Sequence, residues 1–258
     1  MEDTAQMSKF SYIAAGYVLL LALTILVPPS RAQDDIVTNG GFETGDFTGW
    51  TTQSLSGGGF WVVYTGTLTP NDFPVQPPPE GTFAAVTYQG DQSSNILYQD
   101  IEVPPGGETM CSVIVYLVNG EGSMVDPFYV IGDGLTLNGQ NQQMRVDLMD
   151  PNADPFDTGA GVLENLFQTL PGDPNNIGYT TLNFDLTPYA GQTVRFRAAV
   201  VVTTFELNGS IDELSCIAQG GSAATQIPTL SEWGMIAAAA GLGLVGLFFA
   251  VRKRRITA

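Results

Sequence analysis

The chain has 258 residues, 26 acidic against nine basic, with two cysteines and no histidine. The missing histidine removes Ser-His-Asp and Cys-His sites, the HExxH zinc site and imidazole acid–base chemistry. Between Asp34 and Gln226 only Arg145, Arg195 and Arg197 stand against 23 carboxylates, a net charge of −20 that repels nucleic acid, and no lysine is present for Schiff-base or phosphate-loop chemistry.

Residues 1–32 read as a signal peptide. Lys9 precedes the apolar run "YIAAGYVLLLALTILV", and Ser30 and Ala32 supply the small residues that signal peptidase reads, placing cleavage after Ala32. An uncleaved N-terminal anchor is the alternative, and Met7 offers a second start whose flank, "MSKFSY", lacks Glu2 and Asp3.

Residues 33–219 are one domain's worth of chain, without an internal repeat. Segments such as "GFWVVYTG", "NILYQDIEV", "MCSVIVYLVNG" and "QTVRFRAAVVV" are short, rich in β-branched and aromatic residues, and punctuated by Gly, Pro, Asn and Asp. In "QTVRFRAAV", Val194, Phe196 and Ala198 alternate with Thr193, Arg195 and Arg197, which predicts one buried and one wet face. "GAGVLENLFQTL" places Val162, Leu163, Leu166 and Leu170 on a helical stripe, predicting one short helix after the turn-rich "DPNADPFDTG". The fold class expected is all-β, an antiparallel sandwich with one short helix.

"TNGGFETGDFTGW" (Thr38–Trp50), "GTFAAVTY", "LTPYAGQTVRFRAAV" and the closing "GSIDELSC" resemble the carbohydrate-binding-module type of jelly roll, the galactose-binding-like fold. The likeness spans nearly all of the body. It implies two packed antiparallel sheets with the first and last strands adjacent, and a structural calcium near their ends. Carried onto this sequence, that site falls on Glu43 and Asp212. The alternative is that Glu43 caps the NGGF turn and Asp212 ends a strand; both readings stay open. Asp150, Asn152 and Asp154 alternate like an EF-hand opening, but Pro155 and Gly161 occupy its glycine and glutamate positions, which favours a plain Asp/Pro turn.

Cys111 and Cys216 both fall on core-facing positions of their strands. Export into an oxidising space favours a bridge between them, with two separate buried thiols as the alternative. Trp50, Trp61, Tyr64, Tyr88 and Tyr129 are the pool from which a sugar platform would be drawn, although a sandwich core uses such rings first. No ligand-binding residue is readable.

After a small, polar linker (220–226) the chain ends on "IPTLSEWG", an uncharged run over 234–251 and the basic cluster 252–255. Eighteen helical residues span ~27 Å, so the run predicts a transmembrane helix with the basic end in the cytoplasm. Ile227, Pro228, Thr229, Leu230, Trp233 and Gly234 match all six fixed positions of the IPTLxxWG form of bacterial C-terminal sorting signals, which exosortases handle. The resemblance covers 227–258. It implies a chain tethered in the membrane, cleaved by an exosortase-type sorting enzyme, and delivered to the cell surface or outside.

The function expected is that of a secreted or surface-anchored, non-enzymatic protein that binds extracellular polysaccharide or builds a glycan matrix. The alternatives are a surface glycosidase or lyase using a carboxylate pair, and a purely structural matrix protein.

Overall fold

Alternation of buried and exposed side chains builds two facing sheets. In the computed structural model, which describes residues 33–120, 128–130, 134–204, 206–219 and 239–243, twelve strands form in chain order. They are β1 (Gln33–Asp35), β2 (Thr51–Leu55), β3 (Gly59–Tyr64), β4 (Ala84–Gln89), β5 (Ser93–Glu102) and β6 (Thr109–Asn119). Then follow β7 (Tyr129–Val130), β8 (Asn141–Met149), β9 (Val162–Gln168), β10 (Asn176–Asp185), β11 (Thr193–Val202) and β12 (Leu207–Gln219). The first sheet runs β10-β6-β12-β4-β3, with β1 also on β12; the second runs β2-β5-β11-β8-β7, with β9 also on β8. Every strand pair is antiparallel, and the first and last strands are neighbours through Gln33 opposite Gln219. The all-β sandwich expected from the sequence is the fold observed.

The core lies between the sheets. β6 contributes Cys111, Val113, Val115 and Leu117, and β11 contributes Val194, Phe196, Ala198, Val200 and Val202. These are alternate positions, as a pleated strand with one inward face requires. Trp50 and Trp61 are core fillers, Trp50 packing edge-on against Phe196 at 6.0 Å between centroids. β12 breaks the alternation: Ile211 and Leu214 both point inward, three residues apart. A bulge between Asp212 and Ser215, with Glu213 at φ 50°, resets the face so that Cys216 is again inside. Gly209 lets the sheets approach closely, because a Cβ there would sit 2.7 Å from Met144 Sδ and Val200 Cγ2, which would have to shift.

Two local expectations fail. The segment over 162–168 is β9, not a helix; it pairs with β8 from Val162 opposite Met149 to Gln168 opposite Arg145. An open sheet edge offers its amides a complete ladder, and that tertiary contact overrides an i, i+4 apolar pattern. Within the body, among the described residues, the short helix is instead a single 3-10 turn at Thr187–Tyr189, entered through Pro188. The face of β11 that carries Arg195 and Arg197 is also not wet: both side chains are buried under the loop 150–161.

The predicted signal peptide, linker, sorting motif and most of the predicted transmembrane run lie outside the described residues; 239–243 form a helical turn. Among the described residues no helix is long and apolar enough to cross a membrane.

Candidate functional site

The loop from Thr38 to Trp50 is wound tightly enough to need left-handed backbone at Asn39 (φ 51°) and Phe42 (φ 58°). Asn39 organises it. Its carbonyl accepts from Phe42 N (3.1 Å) and from Trp50 Nε1 (3.0 Å), and its side chain receives Thr44 N and donates to the Asp46 carbonyl. Phe42 is driven into the core against Trp50, 5.1 Å between centroids. Gly40 lies directly on the β12 bulge: its carbonyl accepts from Leu214 N at 3.1 Å, and a Cβ on Gly40 would collide with the Leu214 carbonyl.

This geometry presents Glu43 to the long strap between β3 and β4. Glu43 Oε1 accepts from Thr82 N and Phe83 N, both at 2.9 Å, so it clasps the end of the strap. Gly81, at φ 58°, lies so close beneath that carboxylate that a Cβ would strike it.

Asp212, on the bulge of β12, is 1 % exposed. Its Oδ1 accepts from Glu213 N at 2.8 Å, and its Oδ2 has no hydrogen-bond partner among the described residues. Burial, then the neighbouring charges of Glu213 and Glu43, push its pKa up to about 8. Glu213 is raised as well, by burial and by Glu80, Glu43 and Asp35. A Cβ on Gly41 would stand 2.7 Å from Glu213 Oε1 and 3.8 Å from Asp212 Oδ1, so the turn and both carboxylates are packed together. Five acids thus crowd one corner, and all ion pairs among the described residues lie on the other sheet.

A buried carboxylate oxygen beside other carboxylates is a donor that a hard divalent cation could use. Among the described residues no three carboxylates converge on one point. An ion here needs backbone carbonyls and water to reach the six to eight oxygens calcium takes. The structure places Glu43 and Asp212 in the same corner, near enough for the charge of Glu43 to bear on Asp212.

The second acidic candidate is a turn. Asp150 Oδ1 accepts from Asn152 N (2.8 Å), Asp154 Oδ1 from Phe156 N (2.9 Å), and Asp157 from Gly159 N (2.8 Å) and Gly161 N (2.7 Å). Those amides hold the Asp157 carboxyl below its ordinary pKa. Its carboxylates are spent on the backbone, and the chain continues into β9.

Cys111 and Cys216 are bonded to each other, as register partners on β6 and β12 with Cα atoms 4.1 Å apart. Of the aromatic pool, Trp50, Trp61 and Tyr64 are buried and Tyr88 is half-buried; the side chain of Tyr129 lies outside the description.

Sequence reasoning missed a charged ladder on the outer face of the second sheet. Arg145 donates to Asp147 through Nε (2.7 Å) and Nη2 (2.6 Å), Arg197 Nη2 also donates to Asp147, and Asn165 Nδ2 adds a bond of 2.8 Å. One strand over, Arg195 makes a two-pronged pair with Asp100 (2.7 and 2.9 Å) and lies 4.1 Å above the Tyr98 ring. The signal was present: "RVD" in β8, "RFR" in β11 and "YQD" in β5 place charges at alternate positions of three strands that pair with one another. All three cations of the body are consumed there.

Comparison with known proteins adds the following. No curated protein matches the chain. Among solved structures, the chain is similar to TmCBM61 in complex with beta-1,4-galactotriose, at 13 % identity and a TM-score of 0.43, over 74 % of this chain and 100 % of that one. It is similar to the K3 cleaved adhesin domain of Lys-gingipain from Porphyromonas gingivalis, at 13 % identity and a TM-score of 0.46, over 73 % and 100 %. It is also similar to the CBM22-1 xylan-binding domain of Paenibacillus barcinonensis Xyn10C, at 16 % identity and a TM-score of 0.41, over 74 % and 99 %. Residues 225–255 match the IPTL-CTERM motif, so the chain carries that C-terminal signal behind its β-sandwich.

Proposed function

We propose that the chain is exported, processed at its IPTL-CTERM signal by an exosortase-type enzyme, and displayed at the cell surface as a calcium-stabilised jelly roll that binds neutral glycan without cleaving it. The observation that carries the reading is the IPTL-CTERM match at 225–255, a few residues after β12 ends at Gln219. The nature of the ligand follows from charge. Arg145, Arg195 and Arg197 are buried and paired, so the body has no accessible cation with which to capture phosphate, sulfate or carboxylate. Neutral polyhydroxy chains are the extracellular ligands that need none.

Binding is favoured over hydrolysis by the two acids that stand together. A glycosidase needs one protonated and one ionised carboxyl flanking a bond in a cleft. Asp212 is sealed from solvent, and an oxygen of Glu43 is already held by two amides. The test is overnight incubation of the purified full-length chain with a polysaccharide panel, with and without calcium, followed by affinity electrophoresis and by reducing-end and unsaturated-product assays. Retention without new chain ends is expected. New ends abolished by one carboxylate substitution would replace this reading with the enzyme, and neither retention nor cleavage would leave a structural matrix protein.

A further inference from the structure

The outer face of the first sheet is covered over much of its width by the strap between β3 and β4. Phe73 and Val75 of the strap pack on Tyr64, Tyr116 and Val86. The strap is pinned by two phenols: Tyr64 OH donates to the Gln76 carbonyl at 2.7 Å, and Tyr179 OH donates to the carbonyl of Pro77. Where the strap stops short of β10 it leaves a groove of about 450 Å³.

The floor of this groove is Tyr116 and Val118, its strap wall Phe73 to Gln76, and its far wall Asn175 and Asn176. No charged side chain lines it. Strand register fixes what lies around Val118: Asn176 of β10 is its partner on one side and Asn208 of β12 on the other. Cross-strand partners share a face, so an amide flanks the floor on both sides. Asn208 is 0 % exposed, and neither its Oδ1 nor its Nδ2 has a partner among the described residues.

We infer that this groove is a glycan subsite, in which the apolar face of a neutral hexose lies over Val118 while its hydroxyls bond the amides of Gln76, Asn175 and Asn176. An apolar floor with carboxamide walls is the chemistry that recognises a polyol. Uronates and sulfated sugars are rejected, because the lining offers them no cation and the surrounding body is acidic. The second groove of comparable size, beside Tyr189 and Gln192, is the weaker candidate: its one carboxylate, Asp150, already accepts from the backbone and side chain of Asn152.

The inference rests on the glycan-binding reading, and the experiment separates the two. Titration calorimetry on the purified full-length chain would use neutral trisaccharides of glucose, xylose and galactose, with a galacturonate trimer as the charged comparison. Asn176→Ala and Gln76→Ala remove exposed side chains and leave the fold intact, which unchanged melting curves verify; Val118→Phe fills the floor. The expected result is binding of at least one neutral trisaccharide that is insensitive to salt. Asn176→Ala and Gln76→Ala should each weaken it ten-fold or more, Val118→Phe should abolish it, and Gln192→Ala in the second groove should leave it unchanged. Neutral sugar bound equally well by all three groove variants would overturn the groove while sparing the function. Binding of the galacturonate trimer alone would overturn the neutral class, and no binding by the wild-type chain would overturn both.

Discussion

Arg197 and Asp147 stand opposite each other on β11 and β8, both wholly buried, the guanidinium donating to the carboxylate. The same guanidinium donates through Nη1 to the carbonyls of Pro155 and Asp157, each at 2.6 Å. The pair therefore pins the loop 150–161 over the sheet, and Asp147 also serves Arg145 and Asn165. Removing the acid strands two buried cations. Asp147→Ala is expected to destabilise the body by about 3–5 kcal/mol, read from chemical denaturation. A loss under 1 kcal/mol would show that the ladder is solvated in solution.

The Cys111–Cys216 bond closes a segment of 105 residues. On the chain-entropy account such a loop contributes up to ~4.7 kcal/mol. Cys111→Ala with Cys216→Ala should lower the melting temperature by many degrees, and reductant should do the same to the wild type while leaving the double variant unmoved. Non-reducing peptide mapping checks the linkage directly.

Calcium added after exhaustive chelation should raise the melting temperature, because any ligand of the native state stabilises it by mass action. Asp212→Asn should lose most of that increment. Glu43→Gln is the informative variant: it keeps an oxygen for Thr82 N and Phe83 N, so the strap stays clasped while the charge for the ion is lost. Its chelated protein should melt like chelated wild type, and its calcium increment should shrink. Equal increments in all three proteins would remove calcium from this corner.

The Asp157 carboxyl is held low by the amides of Gly159 and Gly161. A pKa depressed by folding stabilises above the unfolded value of 3.8, and that contribution disappears as pH falls through the lower folded value. Wild type should therefore exceed Asp157→Asn in melting temperature at pH 6, with the gap closing below pH 4. A gap independent of pH would assign the effect to hydrogen bonding alone.

Processing has its own readout. Mass spectrometry of surface-released protein should find a start near Gln33 and no peptide from 235–258. Intact C-termini from cells with a working sorting enzyme would leave an ordinary membrane anchor.

Strand alternation in β6 and β11 was legible because each strand writes one inward face into its own residues. β9 was not, because Val162, Leu163 and Leu166 satisfy a helical period as well, and only the free edge of β8 decides between them. The burial of Arg195 and Arg197 depends on a loop some 40 residues earlier folding back over them, which period-two patterning in β11 does not record. The pairing of Glu43 with Asp212 was suggested only through the resemblance, since nothing in the spacing of two residues so far apart in the chain links them. Neither the clasp on the strap nor the groove beside Val118 is visible in sequence; both need the register of β10, β6 and β12.

Anchored through its C-terminus as proposed, the body would take drag at Gln219, along the axis of β12. That strand is zipped to β6 from Leu207 to Ala218 on one side, and to β4 and β1 on the other. A pull along it shears these ladders together instead of peeling them bond by bond. Three residues inside the exit, Cys216 hands the tension covalently to β6. Under such a load only the last few residues of β12 can fray, so the sandwich, with its strap and groove, would stay at rest.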